Sequence, residues 1–269
     1  GTGNAWDEAC ALVLDALDLS HNISDEKLNV PLEQLQLQIA NPGERLSLLI
    51  DRRVNEQVPV PYLTNKAWFA GLAFYIDERA LIPRSPVAQP LVEGFGPWLE
   101  ADKVTRVLDL CTGSACIAIA CAFAFPNAQV DAVDLSSDAL EVAKKNVTLH
   151  QLEKRVHLYE GDLFAPVENQ KYDFIISNPP YVGLAEMKSL PSEYQHEPDL
   201  ALEAGSLGLD IVDRILREAK NLLNDGGVLV VEVGNTDEAV DCAYPDMSFL
   251  WLDFEEGGHG VFLLERDQL

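Results

Sequence analysis

From residue 106 onward, short apolar runs rich in β-branched residues alternate with segments of helical periodicity. This alternation constrains the fold most, because strands that alternate with helices build a parallel sheet with helices on both faces. The last two runs follow one another through a glycine-rich turn and predict an antiparallel hairpin at the sheet edge. The sequence therefore predicts an α/β fold whose sheet is mostly parallel. The predicted strands are 106–110, 129–135, 156–160, 172–177, 228–233, 249–254 and 261–264, and the predicted helices are 117–125, a helix capped by Ser136, and 208–223 with a glycine cap at 225–227.

The first 80 residues have a different, mainly helical pattern. Asn4 is a candidate N-cap for a first helix, and a second helix fits residues 44–57. Two short apolar runs around Gly71 predict a β-hairpin, which leads into a stiff polar link at 82–86. We therefore expect a small helical domain with a linking hairpin over 1–80 and a second domain over 81–269. The predicted apolar face of the first helix is Trp6, Cys10, Val13 and Leu17.

The charge of the chain limits the range of its partners. The 44 acidic and 19 basic residues give a formal net charge of −25. Such a chain repels nucleic acid phosphates, so tight non-specific binding to DNA or RNA is not expected. The acidic balance favours a basic partner, and solubility alone accounts for it equally well.

The cysteines show no pattern typical of a metal site or a disulfide framework. All 5 are scattered, without a CxxC pair or a Cys/His spacing. Such a set is typical of reduced thiols, so we expect a cytoplasmic protein without a metal. No run reaches the ~18 apolar residues of a membrane span, and no signal peptide is visible. Because the chain opens at Gly1, we expect the natural N-terminus to lie upstream.

The tetrapeptide Asn178-Pro179-Pro180-Tyr181 follows the predicted strand at 172–177. A planar NH2 group is oriented by acceptors, and the Asn178 side chain and the Pro179 carbonyl can supply two. Consecutive prolines keep this corner stiff, and Tyr181 can lie flat on a planar amide or base. A plain proline turn is the structural alternative. After a strand and downstream of a small-residue loop, the tetrapeptide indicates transfer of a group to an amino or amide nitrogen.

Three other strand ends carry residues that suit a nucleoside, and ligands of open α/β sheets bind beyond the carboxyl ends of the strands. The loop at 109–115 lets backbone approach a ligand, and Asp109 can accept from an amine or hydroxyl. Asp134 can bind ribose hydroxyls, and Asp162 can meet an adenine amino group. An ordinary turn and solvated carboxylates are the alternatives. The single loop glycine argues against a dinucleotide pyrophosphate site.

Together these motifs resemble those of Rossmann-like class I S-adenosylmethionine-dependent amino-methyltransferases. The fuller pattern is similar to the protein-glutamine N(5)-methyltransferases, and within them to the PrmB-type branch, which acts on the large-subunit ribosomal protein L-three. The release-factor branch usually has Arg-Pro-Asp-Thr-Glu in the link, where this chain has Arg84-Ser85-Pro86-Val87-Ala88. The branch resemblance is carried by residues 62–68, 83–86, 110–114, 196–198 and 232–235 and covers nearly the whole chain.

The resemblance implies methyl transfer from S-adenosylmethionine to a glutamine side-chain amide of a basic ribosomal protein. It also implies that residues 1–80 recognise the substrate, with no metal, no direct contact with nucleic acid and no membrane. Asn178, Pro179, Pro180 and Tyr181 are the implied catalytic and substrate-binding residues, with Arg84 as a further substrate contact. The implied cofactor-binding residues are Asp109, Cys111, Thr112, Gly113, Ser114, Ala115, Asp134, Leu135, Asp162, Leu163 and Asn178.

Two loop positions depart from the glycines usual in these enzymes. Cys111 replaces the first glycine, as it does in the same branch, and Ala115 stands where another glycine is usual. We expect Ala115 to enter its helix without a positive φ, and therefore to weaken cofactor binding slightly at most.

Other functions stay open at the level of the sequence. A DNA adenine N(6)-methyltransferase also uses Asn-Pro-Pro-Tyr, but the net charge of −25 and the lack of a basic DNA-reading region argue against it. A release-factor enzyme differs only in its client. A cofactor-binding assembly factor without catalysis belongs to another class, and the intact tetrapeptide argues against it. The long segment 182–207 has no clear pattern and is expected to be functional or disordered.

Overall fold

The computed structural model describes residues 5–19, 41–255 and 257–269. The predicted N-cap Asn4 lies outside these residues. The N-terminal part contains the helices α1 (Ala5–Ala16), α2 (Pro42–Asn55) and α3 (Val60–Thr64). The strands β1 (Ala67–Phe69) and β2 (Leu72–Phe74) follow and pair antiparallel, so the predicted hairpin is confirmed. None of the helices in the described ranges is long and apolar enough to cross a membrane.

The rest of the chain alternates strands and helices as predicted. Ser136 caps the helix Ser137–Leu149, because its hydroxyl oxygen accepts a hydrogen bond from the Ala139 amide at 3.1 Å. The strands are β3 (Arg106–Leu110), β4 (Gln129–Asp134), β5 (Val156–Glu160), β6 (Tyr172–Ser177), β7 (Leu223–Glu232), β8 (Leu250–Trp251) and β9 (Val261–Glu265). The helices are α4 (Ala88–Val92), α5 (Cys116–Ala124), α6 (Ser137–Leu149), α7 (Leu184–Met187), α8 (Asp210–Leu222) and α9 (Asp237–Ala243).

The strands form one sheet in the order β5-β4-β3-β6-β7-β9-β8. Strands β3 to β7 pair in parallel, and β9 pairs antiparallel with β7 and β8. The predicted parallel sheet with an antiparallel C-terminal edge is therefore confirmed. Because β3 lies between β4 and β6, the order of the strands reverses beside β3. At such a reversal the loops that follow neighbouring strands separate and leave a crevice.

Both faces of the sheet are buried, and the side chains of β3 show this alternation. Val107 packs with Phe174 on the face covered by α5, whereas Leu108 and Leu110 pack on the other face with α8 residues such as Ile215. A central parallel strand buried on both sides needs such a continuous apolar run. This explains why the strands were visible in the sequence.

The N-terminal part packs against α6. Leu49 and Tyr62 share one buried cluster with Ile82 of the link and with Ala139 and Val142 of α6. The predicted division of the chain near residue 80 stays a prediction, and this cluster extends across it.

The fully buried Asn146 of α6 joins the hairpin to the loop after β3. Its Oδ1 accepts a hydrogen bond from the Tyr75 amide at 2.7 Å. Its Nδ2 donates to the Tyr75 carbonyl at 3.0 Å and to the Ser114 carbonyl at 2.9 Å. One side-chain amide therefore satisfies backbone groups of two segments at once.

The predicted apolar face of α1 is wrong. The buried residues of α1 are Leu12, Asp15 and Ala16, whereas Trp6 is 76% exposed and Val13 is 40% exposed. Ion pairs as well as apolar contacts determine which face of α1 is buried. The Asp15 carboxylate lies on that face and pairs with Arg45 at 2.6 Å and with Lys66 at 3.4 Å.

The predicted glycine cap of α8 is also wrong. The helix ends at Leu222, because Leu223 already pairs with Tyr172 in β7. Gly226, with φ of 74°, lies within the irregular start of this strand. The two glycines at 226–227 therefore allow an irregularity in a strand. Glycines that do this look the same in the sequence as glycines that end a helix.

The long segment 182–207 folds back on itself and against the N-terminal part. It contains α7, two 3₁₀ turns and a parallel bridge between Val182 and Glu203. Glu193 forms an ion pair with Arg53 of α2 at 2.8 Å, and the His196 ring contacts the Glu56 carbonyl at 2.9 Å. The segment is therefore held by the N-terminal helices and not by the sheet alone.

We predict that Asn146→Asp lowers the free energy of unfolding by about 3 kcal/mol or more, because a carboxylate accepts from the Tyr75 amide but cannot donate to two carbonyls. Urea unfolding followed by circular dichroism measures the change. The exposed substitution Asn169→Asp adds the same charge and is the control. Equal unfolding midpoints for the two variants would contradict the bridging role of Asn146.

Candidate active site

The carboxyl ends of β3, β4 and β6 and the turn after β5 surround a cavity at the reversal of strand order. This is where open α/β sheets bind ligands. The structure thus brings together predicted site residues that lie as far apart in the sequence as Cys111 and Pro180. The predicted site residues in its wall are Cys111, Gly113, Asp134, Leu135, Asp162, Leu163, Asn178 and Pro180.

Other predicted site residues do not line this cavity. Pro179 and Tyr181 lie outside its wall, and Arg84 lines a separate, wider cleft. The remaining predicted residues are buried: Asp109 in β3, and Thr112, Ser114 and Ala115 within the loop itself. Their part in ligand binding stays a prediction, and their contacts place them as supports of the loop.

The loop after β3 has an unusual backbone. Cys111, Gly113 and Ala115 have φ of 58°, 55° and 62°. The expectation that Ala115 enters its helix without a positive φ is therefore wrong, and a non-glycine residue in this region costs about 1–2 kcal/mol. Two hydrogen bonds keep the loop in place: the Thr112 amide donates to the Val133 carbonyl at 3.0 Å, and the Gly113 amide donates to Asp134 at 2.7 Å.

Asp109 braces this loop from behind. Its side chain is fully buried, and its Oδ2 accepts hydrogen bonds from the Thr112 hydroxyl at 2.5 Å and the Ala118 amide at 3.0 Å. Its Oδ1 has no hydrogen-bond partner. Burial raises the pKa of the Asp109 carboxyl to about 7, although both hydrogen bonds oppose the shift. The carboxyl is therefore close to a balance between its neutral and charged forms near neutral pH.

Two strand-end carboxylates lie in the cavity wall. Asp134 accepts from the Gly113 amide and, at 2.8 Å, from the Ser136 amide, and burial raises its pKa. These bonds fix the carboxylate and leave lone pairs for hydroxyl donors. Asp162 forms an ion pair with Arg214 of α8 at 2.9 Å and is half exposed. Arg214 therefore competes for the carboxylate that the sequence assigned to an adenine amino group.

The tetrapeptide begins where β6 is tied to β3. Ser177 is fully buried and donates a hydrogen bond to the Leu110 carbonyl at 2.9 Å, which fixes the strand end. Asn178 and Pro180 then line the cavity, and Tyr181 turns away from it. Across residues 5–19, 41–255 and 257–269, the Asn178 side chain forms no hydrogen bond. Its amide is therefore available to a ligand.

Arg84 is already paired in the link. Its guanidinium forms an ion pair with the buried Glu197 and stacks over the Tyr194 ring at 4.7 Å from the centroid. Glu197 also accepts from the Ile82 amide at 3.3 Å. The contacts of Arg84 thus fix the long segment to the link, and a role in binding substrate stays a prediction.

Sequence reasoning missed a second wall of the cavity. The segment 182–207 was expected to be functional or disordered, and no periodic pattern singled out the residues that face the site. Ile211 at the start of α8 gave no signal either, because it follows the same helical pattern as core residues. The unpredicted wall residues that define this side are Arg79, Ala80, Leu81, Pro198, Leu200, Ala201, Glu203 and Ile211.

A wider cleft of about 770 Å³ lies on the other side of the link. Its wall combines the α1 carboxylates Asp7 and Glu8 with apolar side chains of the hairpin, such as Phe69, and with link residues 82–86. Residues 79–81 line the first cavity. The link, taken from here on as residues 79–86, therefore lies between the two spaces.

Solved methyltransferase structures share this fold. A methyltransferase from Pyrococcus furiosus matches with a TM-score of 0.54 and 18% identity over 83% of this chain and 98% of that chain. The hMettl16 catalytic domain in complex with MAT2A 3′UTR hairpin 6 matches with a TM-score of 0.56 and 17% identity over 87% and 85%. At such identities the likeness shows the fold alone. A family model described as "Methyltransferase small domain" matches residues 95–192, from before β3 to beyond the tetrapeptide.

The fold is that of the class I methyltransferases, as the sequence predicts. Two relatives carry the name "Ribosomal protein uL3 glutamine methyltransferase". The one from Francisella tularensis is 46% identical over 273 residues, with 100% of this chain and 84% of the relative covered. The one from Bordetella pertussis is 47% identical over 270 residues, with 100% and 89% covered. The chain belongs to the ribosomal protein uL3 glutamine methyltransferase family, which confirms the predicted branch.

We predict that Asp109 makes stability fall with rising pH. The folded state holds a proton on Asp109 up to about pH 7, whereas the unfolded chain loses it near the ordinary pKa of 3.8. Between these values the folded state binds more protons, so the free energy of unfolding decreases as pH rises. Asp109→Asn removes this contribution, so its stability relative to the parent chain increases from about pH 4 to about pH 7.

Urea unfolding at a series of pH values measures this difference. The exposed substitution Asp102→Asn is the control for removal of a carboxylate outside the core. A difference between Asp109→Asn and the parent chain that does not change with pH would show that Asp109 is ionised in the folded protein throughout this range.

Proposed function

We propose that this chain transfers a methyl group from S-adenosylmethionine to the side-chain amide nitrogen of a glutamine in ribosomal protein uL3, the L-three protein of the large subunit. One observation carries the proposal. Asn178 stands in the cavity wall, its side-chain amide forms no hydrogen bond with any residue that the structure describes, and two prolines that restrict the backbone follow it. The names of the two relatives that match the whole of this chain supply the client.

The cavity suits a nucleoside with a charged tail. Asp134 is fixed by backbone amides and can accept from ribose hydroxyls, and the buried Leu163 offers an apolar surface to a base. The loop from Cys111 to Ala115 brings backbone close to the ligand. These residues and Asp162 would hold S-adenosylmethionine, which supplies a methyl group already activated by its sulfonium.

The protein's own contribution is orientation. An amide nitrogen is a poor nucleophile because its lone pair is delocalised into the carbonyl. The Asn178 side-chain oxygen and the Pro179 carbonyl accept from the glutamine NH2, hold it in line for transfer, and stabilise the positive charge that grows on nitrogen. Tyr181 packs beside this corner and limits its movement. No general base is assigned to the site, so the proton leaves to water after transfer.

The wider cleft is the proposed docking surface for the client, which deepens the role predicted for residues 1–80. It is continuous with the link that borders the cofactor cavity. Its wall holds the carboxylates of Asp7 and Glu8 and the cations Lys66 and Arg84, and Glu8 is itself paired with Arg53 at 2.9 Å. A net charge of −25 favours a basic protein partner. Nothing in this charge favours direct contact with nucleic acid.

A cytoplasmic location fits the same proposal. All five cysteines are free thiols, which are typical of a reducing compartment. A protein that modifies a ribosomal protein would also meet its client in the cytoplasm.

The decisive experiment offers labelled S-adenosylmethionine with three acceptors: ribosomal protein uL3, a class I release factor and unmethylated DNA. We expect label on a glutamine of uL3. Label on the release factor instead would keep the chemistry and overturn the client, whereas label on DNA would overturn the substrate class. Label on none of them would point to a cofactor-binding protein without turnover.

We predict that Asn178→Ala lowers kcat for uL3 by roughly 100-fold or more, because an acceptor that acts in the transition state is lost. Cofactor affinity, measured by equilibrium binding, changes little. Asn127→Ala removes an exposed asparagine far from the cavity and is the matched control. Normal turnover in Asn178→Ala would show that Asn178 does not orient the glutamine amide.

We predict a steep salt dependence for association with uL3, because an acidic enzyme steers a basic client over long range. The association rate should fall roughly tenfold between low and about 0.3 M salt, where the Debye length is short. Stopped-flow measurements give the rate, and cofactor binding over the same range is the control. A flat profile would show that the net charge serves solubility alone.

A further inference from the structure

Glu232 is a buried carboxylate at the carboxyl end of β7, and the chemistry above gives it no part. Its residue is 5% exposed. Its Oε2 accepts a hydrogen bond from the Ser85 hydroxyl, and its Oε1 accepts one from the Tyr181 hydroxyl at 3.3 Å. Burial raises the pKa of the Glu232 carboxyl, and both hydrogen bonds oppose the shift. A carboxylate is costly to bury, so these two donors are what makes its position tolerable.

Tyr181 is confined on its other sides as well. A Cβ atom on Gly234, which has φ of 50°, would lie 2.6 Å from Tyr181 Cε2. A Cβ atom on Gly208, which has φ of 76°, would lie 2.2 Å from the Tyr181 carbonyl oxygen. The ring and the backbone of Tyr181 therefore fit a slot whose walls allow no side chain. Glu232 fixes the remaining freedom, the position of the phenol oxygen.

The other partner of Glu232 belongs to the partition between the two spaces. Ser85 is buried in the link, and its hydroxyl oxygen also accepts from the Val87 amide at 3.3 Å. The neighbouring Arg84 is paired with Glu197 of the long segment. Glu232 thus connects the tetrapeptide to the same link that borders the cofactor cavity and the client cleft.

We propose that Glu232 is a positioning residue for methyl transfer, which holds Tyr181 against the amide-binding corner and locks the link to it through Ser85. The inference rests on the proposed function and deepens it. Glu232 does not line the cofactor cavity, so it acts through Tyr181 and not on the reacting atoms. The expected consequence is an effect on kcat with cofactor binding unchanged, because geometry and not affinity is altered.

The kinetic test compares Glu232→Ala with Glu232→Gln, using uL3 as substrate. The alanine variant loses both hydrogen bonds and should lose roughly 100-fold in kcat, the effect of a displacement of about 1 Å. The glutamine variant keeps both contacts, because its oxygen accepts from one hydroxyl and its NH2 donates to the other. Its kcat should stay within about tenfold of the parent. Glu141→Ala, at an exposed position of α6, is the matched control.

A double-mutant cycle shows whether the effect passes through the phenol. Tyr181→Phe keeps the ring and removes the hydroxyl that Glu232 holds. The double variant Glu232→Ala, Tyr181→Phe should be no slower than Glu232→Ala alone, because the two substitutions remove one interaction. Losses that multiply would overturn the proposal, as would normal kcat in Glu232→Ala or a glutamine variant as slow as the alanine variant.

Hydrogen exchange separates failure of this inference from failure of the proposed function. Loss of Glu232 should speed exchange of the Val87 amide, whose acceptor Ser85 is released, whether or not uL3 is the client. If the parent chain transfers no methyl group, this measurement alone shows whether Glu232 holds Ser85 of the link in place. Unchanged exchange at Val87 in folded Glu232→Ala would overturn the link to Ser85. If Glu232→Ala does not fold, Ser85→Ala removes one arm with an intact carboxylate, and it is tested by kcat because it deletes the Val87 acceptor itself. A normal kcat in Ser85→Ala would then overturn the link to Ser85.

Discussion

The structure depends on the parallel pairing of β3 with β4 on one side and β6 on the other. This pairing places the carboxyl ends of three strands at one edge, where the order of the strands reverses. The loop after β3 then adopts positive φ at Cys111 and Ala115, which isolated residues avoid. Such strain persists only where surroundings over-determine it, and here Asp109 braces the loop from behind. The cavity proposed for the cofactor is the result.

Buried polar side chains then attach the remaining parts to that edge. Asn146 joins the hairpin to the loop after β3, Glu197 joins the long segment to the link, and Glu232 joins the link to the tetrapeptide. A buried polar group left unpaired costs about 1–3 kcal/mol, so each of these residues penalises any other arrangement of its partners. Apolar contacts drive the parts together, and the polar contacts select one arrangement among many.

The link from 79 to 86 lies between the two spaces to which we assign the cofactor and the client. Its first residues line the cavity proposed for S-adenosylmethionine, and its later residues line the cleft proposed for the basic client. A methyl group must cross from one space to the other, and the tetrapeptide stands beside the partition. The position of the link therefore matters to the reaction, although none of its side chains is needed as an acid or base.

The sequence by itself determined the alternation of strands and helices, the hairpin, the antiparallel edge and the family, because these follow from local periodicity and short motifs. The bounds of β3, β5 and β6 agree with the predicted ones for the same reason. Only the tertiary structure decided that Asp15 lies on the buried face of α1, where it pairs with Arg45. It alone also decided that the glycines at 226–227 belong to a strand and that Ala115 has a positive φ. It also decided the second wall of the cavity and the pairing of Glu232 with Ser85 and Tyr181. Contacts between residues far apart in the chain set these features, and local patterns carry no record of such contacts.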